Sequence, residues 1–267
     1  MRRLAIIATS LALLPVWLPA QNRAAVPRSA DGKPDFTGVW QAASSRRGTW
    51  EEANSDGGLG GPPPGAPTRA ANRGPAREPA PYQPWAAQKV LESFNRRGID
   101  DPVAQCLAPG VPRVTTVGLF PMQIVQTPRT FVMLYEYLNV FRVIPIDAAH
   151  PDDLEPTFMG DSVGHWDGDT LVVDATGFND RTWLVGTGTF HSEALHVTER
   201  YTRVDADTIQ YEATMVDPKV LTRPWIFRTT IMRRDGTRLR EYACEENNLD
   251  RGRYEQLLKD ESVFRRK

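Results

Sequence analysis

The chain has 267 residues, with 32 basic and 33 acidic side chains, 40% hydrophobic residues and two cysteines. The balanced charge, with no basic stripe, excludes a general nucleic-acid-binding surface. The length is enough for one sizeable hydrophobic core.

The amino terminus reads as an export signal. Met1-Arg2-Arg3 supplies the positive start, and Leu4 to Leu18 is an apolar run interrupted by Pro15. That run has the length of a signal-peptide core rather than a membrane span, and Ala20 is the expected last residue removed. The expected destination is therefore the periplasm or the medium, with no membrane span once residues 1–20 are gone. In an oxidising compartment an even cysteine count predicts a bridge, here Cys106 to Cys244.

Residues 21–82 form a Pro- and Gly-rich tether. Residues 21–84 hold ten of the 22 prolines, a composition that offers little apolar surface to offset ordering entropy. Within the tether, residues 35–42 contain the short apolar run Phe36-Thr37-Gly38-Val39-Trp40, a candidate strand docking on the main body. Residues 83–267 are expected to form a single domain.

A helix should begin at Pro84, which suits the first helical position, with Ala87, Val90, Leu91 and Phe94 at helical spacing and a stop at Gly98. A second helix is expected over 250–260, with Tyr254, Leu257 and Leu258 on one side. Between them the pattern is β. Runs at 120–126, 130–138, 140–146, 161–166, 170–175, 195–203, 208–215, 225–234 and 237–244 make about nine strands. Asp167-Gly168 and Asp235-Gly236 each signal a tight hairpin. No long crossover separates the strands, so the expected fold is all-β. It is an antiparallel meander curled into a barrel, with two short peripheral helices; a flatter sandwich is the alternative.

The stretch 160–199 concentrates the ionisable groups, including three of the four histidines. A turn at Asp167-Gly168 would set Asp161 opposite Asp174 and His165 opposite Thr170. Asp161, His165 and Asp174 then share one face, while Gly164, Trp166, Leu171 and Val173 share the more apolar one. At a barrel mouth the two carboxylates would be candidate ligand contacts; on a wet face they are ordinary surface residues.

A three-residue loop at 205–207 would align Val197 with Met215, Glu199 with Ala213 and Tyr201 with Tyr211, and would pair Arg200 with Glu212 outside. Glu199 then lies in an apolar row. A carboxylate there must be paired, hydrogen-bonded or protonated. It is either a general acid or base assisted by His191 or His196, or a structural group tied to an arginine or tyrosine nearby. Tyr135, Arg142, Tyr201 and Tyr211 are candidate ligand contacts.

His191, His196 and Glu199 do not have a recognised zinc spacing, so no metal is expected. The chain has no nucleophile elbow, phosphate-binding loop or dinucleotide fingerprint, so no organic cofactor is expected either.

The motifs Pro34-Asp35-Phe36-Thr37-Gly38-Val39-Trp40, Asp101-Pro102-Val103-Ala104-Gln105-Cys106 and Gly160-Asp161-Ser162-Val163-Gly164, with the run that follows to Asp180, resemble those of an uncharacterised family of secreted soil-bacterial proteins. That resemblance implies compartment, not chemistry. Gly38-Val39-Trp40 ahead of a meander also resembles the lipocalin type of barrel, which implies a cavity for a small apolar molecule. The functional expectation is binding of such a molecule. The alternatives are a cofactor-independent isomerase, lyase or hydrolase built on Glu199 and a histidine, and a structural or interaction domain. Nothing in the sequence sets an oligomeric state.

Overall fold

The computed structural model describes residues 25–42, 80–96, 100–117, 119–186, 188–246 and 248, together with Gly252, Gln256 and Lys259. The expected export leader and most of the expected tether lie outside the described residues. So does most of the helix expected over 250–260, although the three described positions there are helical.

Nine antiparallel strands form one sheet that is nearly closed into a barrel. They are β1 Gly38–Ala42, β2 Met122–Gln126, β3 Thr130–Tyr135, β4 Phe141–Pro145, β5 Asp161–Asp167, β6 Thr170–Thr176, β7 His196–Arg203, β8 Thr208–Val216 and β9 Trp225–Arg233. Their order is β4-β3-β2-β1-β9-β8-β7-β6-β5. β4 and β5 meet to close the barrel, joined by one parallel bridge, Ile146 to Gly164, rather than a ladder. Alternate side chains point inward. Trp40, Ile124, Phe131, Leu171, Val173, Val197, Met215 and Ile231 build one continuous core.

The strand count agrees with the sequence expectation, but one member differs. The Asp235-Gly236 hairpin does not form a ladder, and residues 237–244 are irregular. The free side of β9 is taken instead by β1, which pairs Trp40 with Arg233 and, on its other side, with Met122. The apolar run in the tether is therefore a central strand. Its Trp40 is fully buried and donates from Nε1 to the Phe36 carbonyl at 2.7 Å. Residues 237–244 bear three charges and suit this position poorly. They run past the β3–β4 turn, where the Arg240 amide donates to Glu136 and the Tyr242 ring packs on Phe120 and Tyr137. There Cys244 is bonded to Cys106, the disulfide expected from the sequence.

Helix α1, Pro84–Asn95, starts at its proline and buries Ala86 and Val90. A second helical turn, α2 (Arg113–Thr116), was not anticipated. All four of its residues are buried, because it packs into the barrel rather than onto it. Both Nη atoms of Arg113 donate to the Asp101 carboxylate, at 2.7 and 2.6 Å. Gly110, which precedes the turn, is at φ +78°, and a Cβ there would come within 2.4 Å of the Thr182 hydroxyl.

Candidate functional site

β7 and β8 pair in the register read from the sequence, with Val197 against Met215, Glu199 against Ala213, Tyr201 against Tyr211 and Arg200 against Glu212. Glu199 therefore points into the core and is fully buried. It is satisfied from three strands. The Tyr201 and Tyr211 hydroxyls donate to Oε1 at 2.8 and 2.7 Å, and Arg142 Nη2 donates to Oε2 at 2.6 Å. Arg142 comes from β4, where strand alternation turns it inward with Ile144. Its Nη2 also donates to the Ser162 hydroxyl of β5 at 2.8 Å.

The neighbours extend this network. The Tyr135 hydroxyl lies 3.0 Å from Thr115 Oγ1 on α2, and Thr115 is 3.5 Å from the Tyr201 hydroxyl. Burial pushes the phenols of Tyr201 and Tyr211 well above their ordinary range, and the Glu199 charge adds to the effect. Burial also raises Tyr135, against the pull of the Arg142 charge. For Arg142, burial disfavours the cation, but the Glu199 carboxylate outweighs it, so the guanidinium stays firmly charged.

One feature of this cluster is unbalanced. Arg142 is 4% exposed, yet among the described residues its Nε and Nη1 meet no acceptor in full hydrogen-bonding geometry, although the Tyr135 hydroxyl is near enough for Arg142 to lower its pKa by side-chain contact. Buried donors of a charged group are costly to leave unpaired.

The histidines sit elsewhere. His191 is buried, with Nε2 at 2.6 Å from the Thr182 hydroxyl and Nδ1 at 2.9 Å from the Ser192 carbonyl. Since a carbonyl only accepts, Nδ1 carries the proton and Nε2 accepts from Thr182. Burial pushes its pKa down, which keeps it neutral. His196 faces outward and bonds Asp174 at 2.8 Å. The structure thus does not bring Glu199, His191 and His196 together.

The β5–β6 hairpin departs from the expected register. The loop is Gly168-Asp169, so Asp167 pairs with Thr170, Val163 with Asp174 and Asp161 with Thr176. Gly168 takes the positive φ of +59°. Asp169 is left free to accept from both Nη atoms of Arg28 at 2.6 Å. The two-residue shift preserves the faces, so Asp161, His165 and Asp174 remain on the outside, and His165 is exposed. Asp161 and Asp174 are diagonal neighbours rather than opposite. His150 bridges them, with Nδ1 2.5 Å from Asp161 and Nε2 2.9 Å from Asp174. This residue reads from the sequence as a solvated loop histidine.

Hollows open on the outer surface. One, of about 570 Å³, lies between Gln83, Asp217 and Arg223; another, of about 460 Å³, lies between Arg200, Glu212 and Arg228. Neither gathers acid–base groups around a buried void. Among the described residues no group of three or more His, Cys, Asp or Glu side chains is arranged to hold a metal ion, and no helix is long and apolar enough to cross a membrane.

Ser162, Thr115 and His150 escaped the sequence reading. Ser162 had a signal, being an inward alternant of the same strand as Gly164. Thr115 lies on a single helical turn too short to show a period and His150 in an irregular segment, and neither had one. No family model, curated protein or solved structure matches the chain.

Proposed function

We propose that this is an exported barrel that takes up a small, largely apolar molecule with an acceptor-bearing, acidic end, held at Arg142. The single observation that carries the reading is the pair of Arg142 donors, Nε and Nη1, left without an acceptor among the described residues in an otherwise satisfied and buried cluster. Small barrels commonly enclose one ligand, mostly through apolar walls with a few placed polar groups. In this reading the inward core side chains would part to form the apolar walls, and Arg142, Tyr135 and Thr115 would form the polar end. The Glu199 carboxylate, already engaged by three donors, serves in this reading to hold Arg142 in place. The disulfide and the leader-like amino terminus support export.

Calorimetric titration with decanoate, decanol and decylamine tests this. Decanoate is expected to bind at least about tenfold more tightly than decanol, through hydrogen bonds to a charged donor, and decylamine not at all. Equal affinity for acid and alcohol, or no binding by any of the three, contradicts the reading.

A further inference from the structure

The Arg142 cluster is closed to solvent, so a ligand needs a way in. Every other strand junction is a ladder, but β4 and β5 share only the Ile146–Gly164 bridge, backed by the Asp147 amide donating to the Gly164 carbonyl at 2.7 Å. Inside the barrel this seam is clasped by Arg142 of β4, which reaches Ser162 on β5 and Glu199 on β7. Outside, the segment that links the two strands, 146–160, leaves the end of β4 and lies against β5 and β6. That segment is tied to the sheet at its far end, where Thr157 bridges to Phe178. Among the described residues, the only side-chain hydrogen bonds holding 148–156 to the barrel are those of His150.

The geometry of His150 dictates its charge. Both ring nitrogens face carboxylate oxygens, on Asp161 of β5 and Asp174 of β6. A neutral imidazole has one donor and one lone pair, so only the imidazolium satisfies both contacts. Partial burial works against the cation, but the two aspartates prevail and its pKa is raised above the ordinary histidine value. The third strand against it, β7, contributes His196, which also bonds Asp174.

We propose that the β4–β5 seam is the portal to the barrel interior, and that His150 is its pH-sensitive outer latch. With the proton on, segment 146–160 is pinned across β5 and β6 and the seam is shut. When the proton leaves to solvent, one nitrogen presents a lone pair to a carboxylate, that contact is lost, and the segment lifts. The sign follows from the raised pKa: the latch is fully engaged below the ordinary histidine value and is lost as pH rises through the higher folded-state value. The portal role rests on the interior binding proposed above; the latch does not.

The test uses the mature full chain. NMR titration of His150 should give a midpoint above about 6.5. Hydrogen exchange at 148–160, corrected for the intrinsic pH dependence, should rise about fivefold from pH 6 to pH 9 while β7 and β8 stay unchanged. His150→Gln should show the faster exchange already at pH 6. Decanoate association, followed by stopped flow, should accelerate over the same pH range. A His150 midpoint at or below about 6.5, or exchange at 148–160 that ignores pH, overturns the latch. Exchange that responds while decanoate association does not overturns the portal. Absence of decanoate binding at every pH overturns the interior reading instead, and leaves the latch to be judged by exchange alone.

Discussion

Replacing Glu199 with glutamine removes one charge and almost no volume, which makes its effect readable. The carboxylate and the Arg142 guanidinium are 0% and 2% exposed and 2.6 Å apart. In the variant, Tyr201 and Tyr211 can still donate to the remaining amide oxygen, but the amide NH2 faces Arg142 Nη2, donor against donor. A buried cation is then left without its counter-charge. Breaking a buried pair from one side costs about 3–5 kcal/mol, against about 0–1 kcal/mol for an exposed pair. With an m-value of about 3 kcal/mol/M, the upper end of the usual range and suited to a domain of this size, the urea midpoint should fall by roughly 1–2 M. Adding Arg142→Met to the same chain should restore most of the loss, because an uncharged interior needs no partner. Equilibrium urea unfolding of the three proteins gives the cycle. A loss below about 1 kcal/mol for Glu199→Gln, or no recovery in the double variant, would refute the view that one desolvated ion pair organises this interior.

Further consequences follow from other contacts. Reducing the Cys106–Cys244 bridge, whose cysteines are 138 residues apart, should cost about 5 kcal/mol by loop-closure entropy, measured as the difference in unfolding free energy with and without reductant. Gly110→Ala should cost at least about 2 kcal/mol, since it forces a positive φ on a side chain and drives its Cβ into Thr182; a calorimetric melt reads this. Asp101→Asn removes the charge that holds Arg113, both being largely buried, and should loosen α2 and raise hydrogen exchange at 113–116 selectively. Tyr135, Tyr201 and Tyr211 prefer the neutral phenol when folded. The stability this gives is complete below about pH 10 and is lost as pH climbs toward their raised native values. Their ionisation, followed by ultraviolet absorbance, should therefore coincide with unfolding rather than precede it.

How far the sequence carried can be judged residue by residue. Ile209, Tyr211, Ala213 and Met215 alternate cleanly, so the β7–β8 register and the burial of Glu199 were readable from period and loop length alone. Its partner was not, because Arg142 is 57 residues away and nothing local couples the two. The β5–β6 hairpin was recognised but misplaced by two residues: a tight turn signal names the glycine, not which neighbour shares the loop with it. Residues 237–244 carry strand-like residues after a turn signal, yet the place beside β9 went to Gly38–Ala42, whose buried Trp40 packs better there than a charged strand would. That competition is between segments some 200 residues apart, and local pattern has no access to it. The histidines show the same limit. Alternation along β7 sets His196 on the face opposite Glu199, but only the folded connection between β4 and β5 brings His150 to Asp161 and Asp174.

What satisfies Arg142 decides whether the barrel holds a ligand. A crystal structure of the protein, purified without detergent and refined at high resolution, would display the atoms around Arg142 Nε and Nη1. The expected result is an acceptor oxygen within about 3 Å of one or both, continuous with density for an apolar body lying along the core strands. A lone ordered water there, or the Tyr135 hydroxyl turned to close the gap, would mean that the barrel completes its own interior and has no place for a ligand.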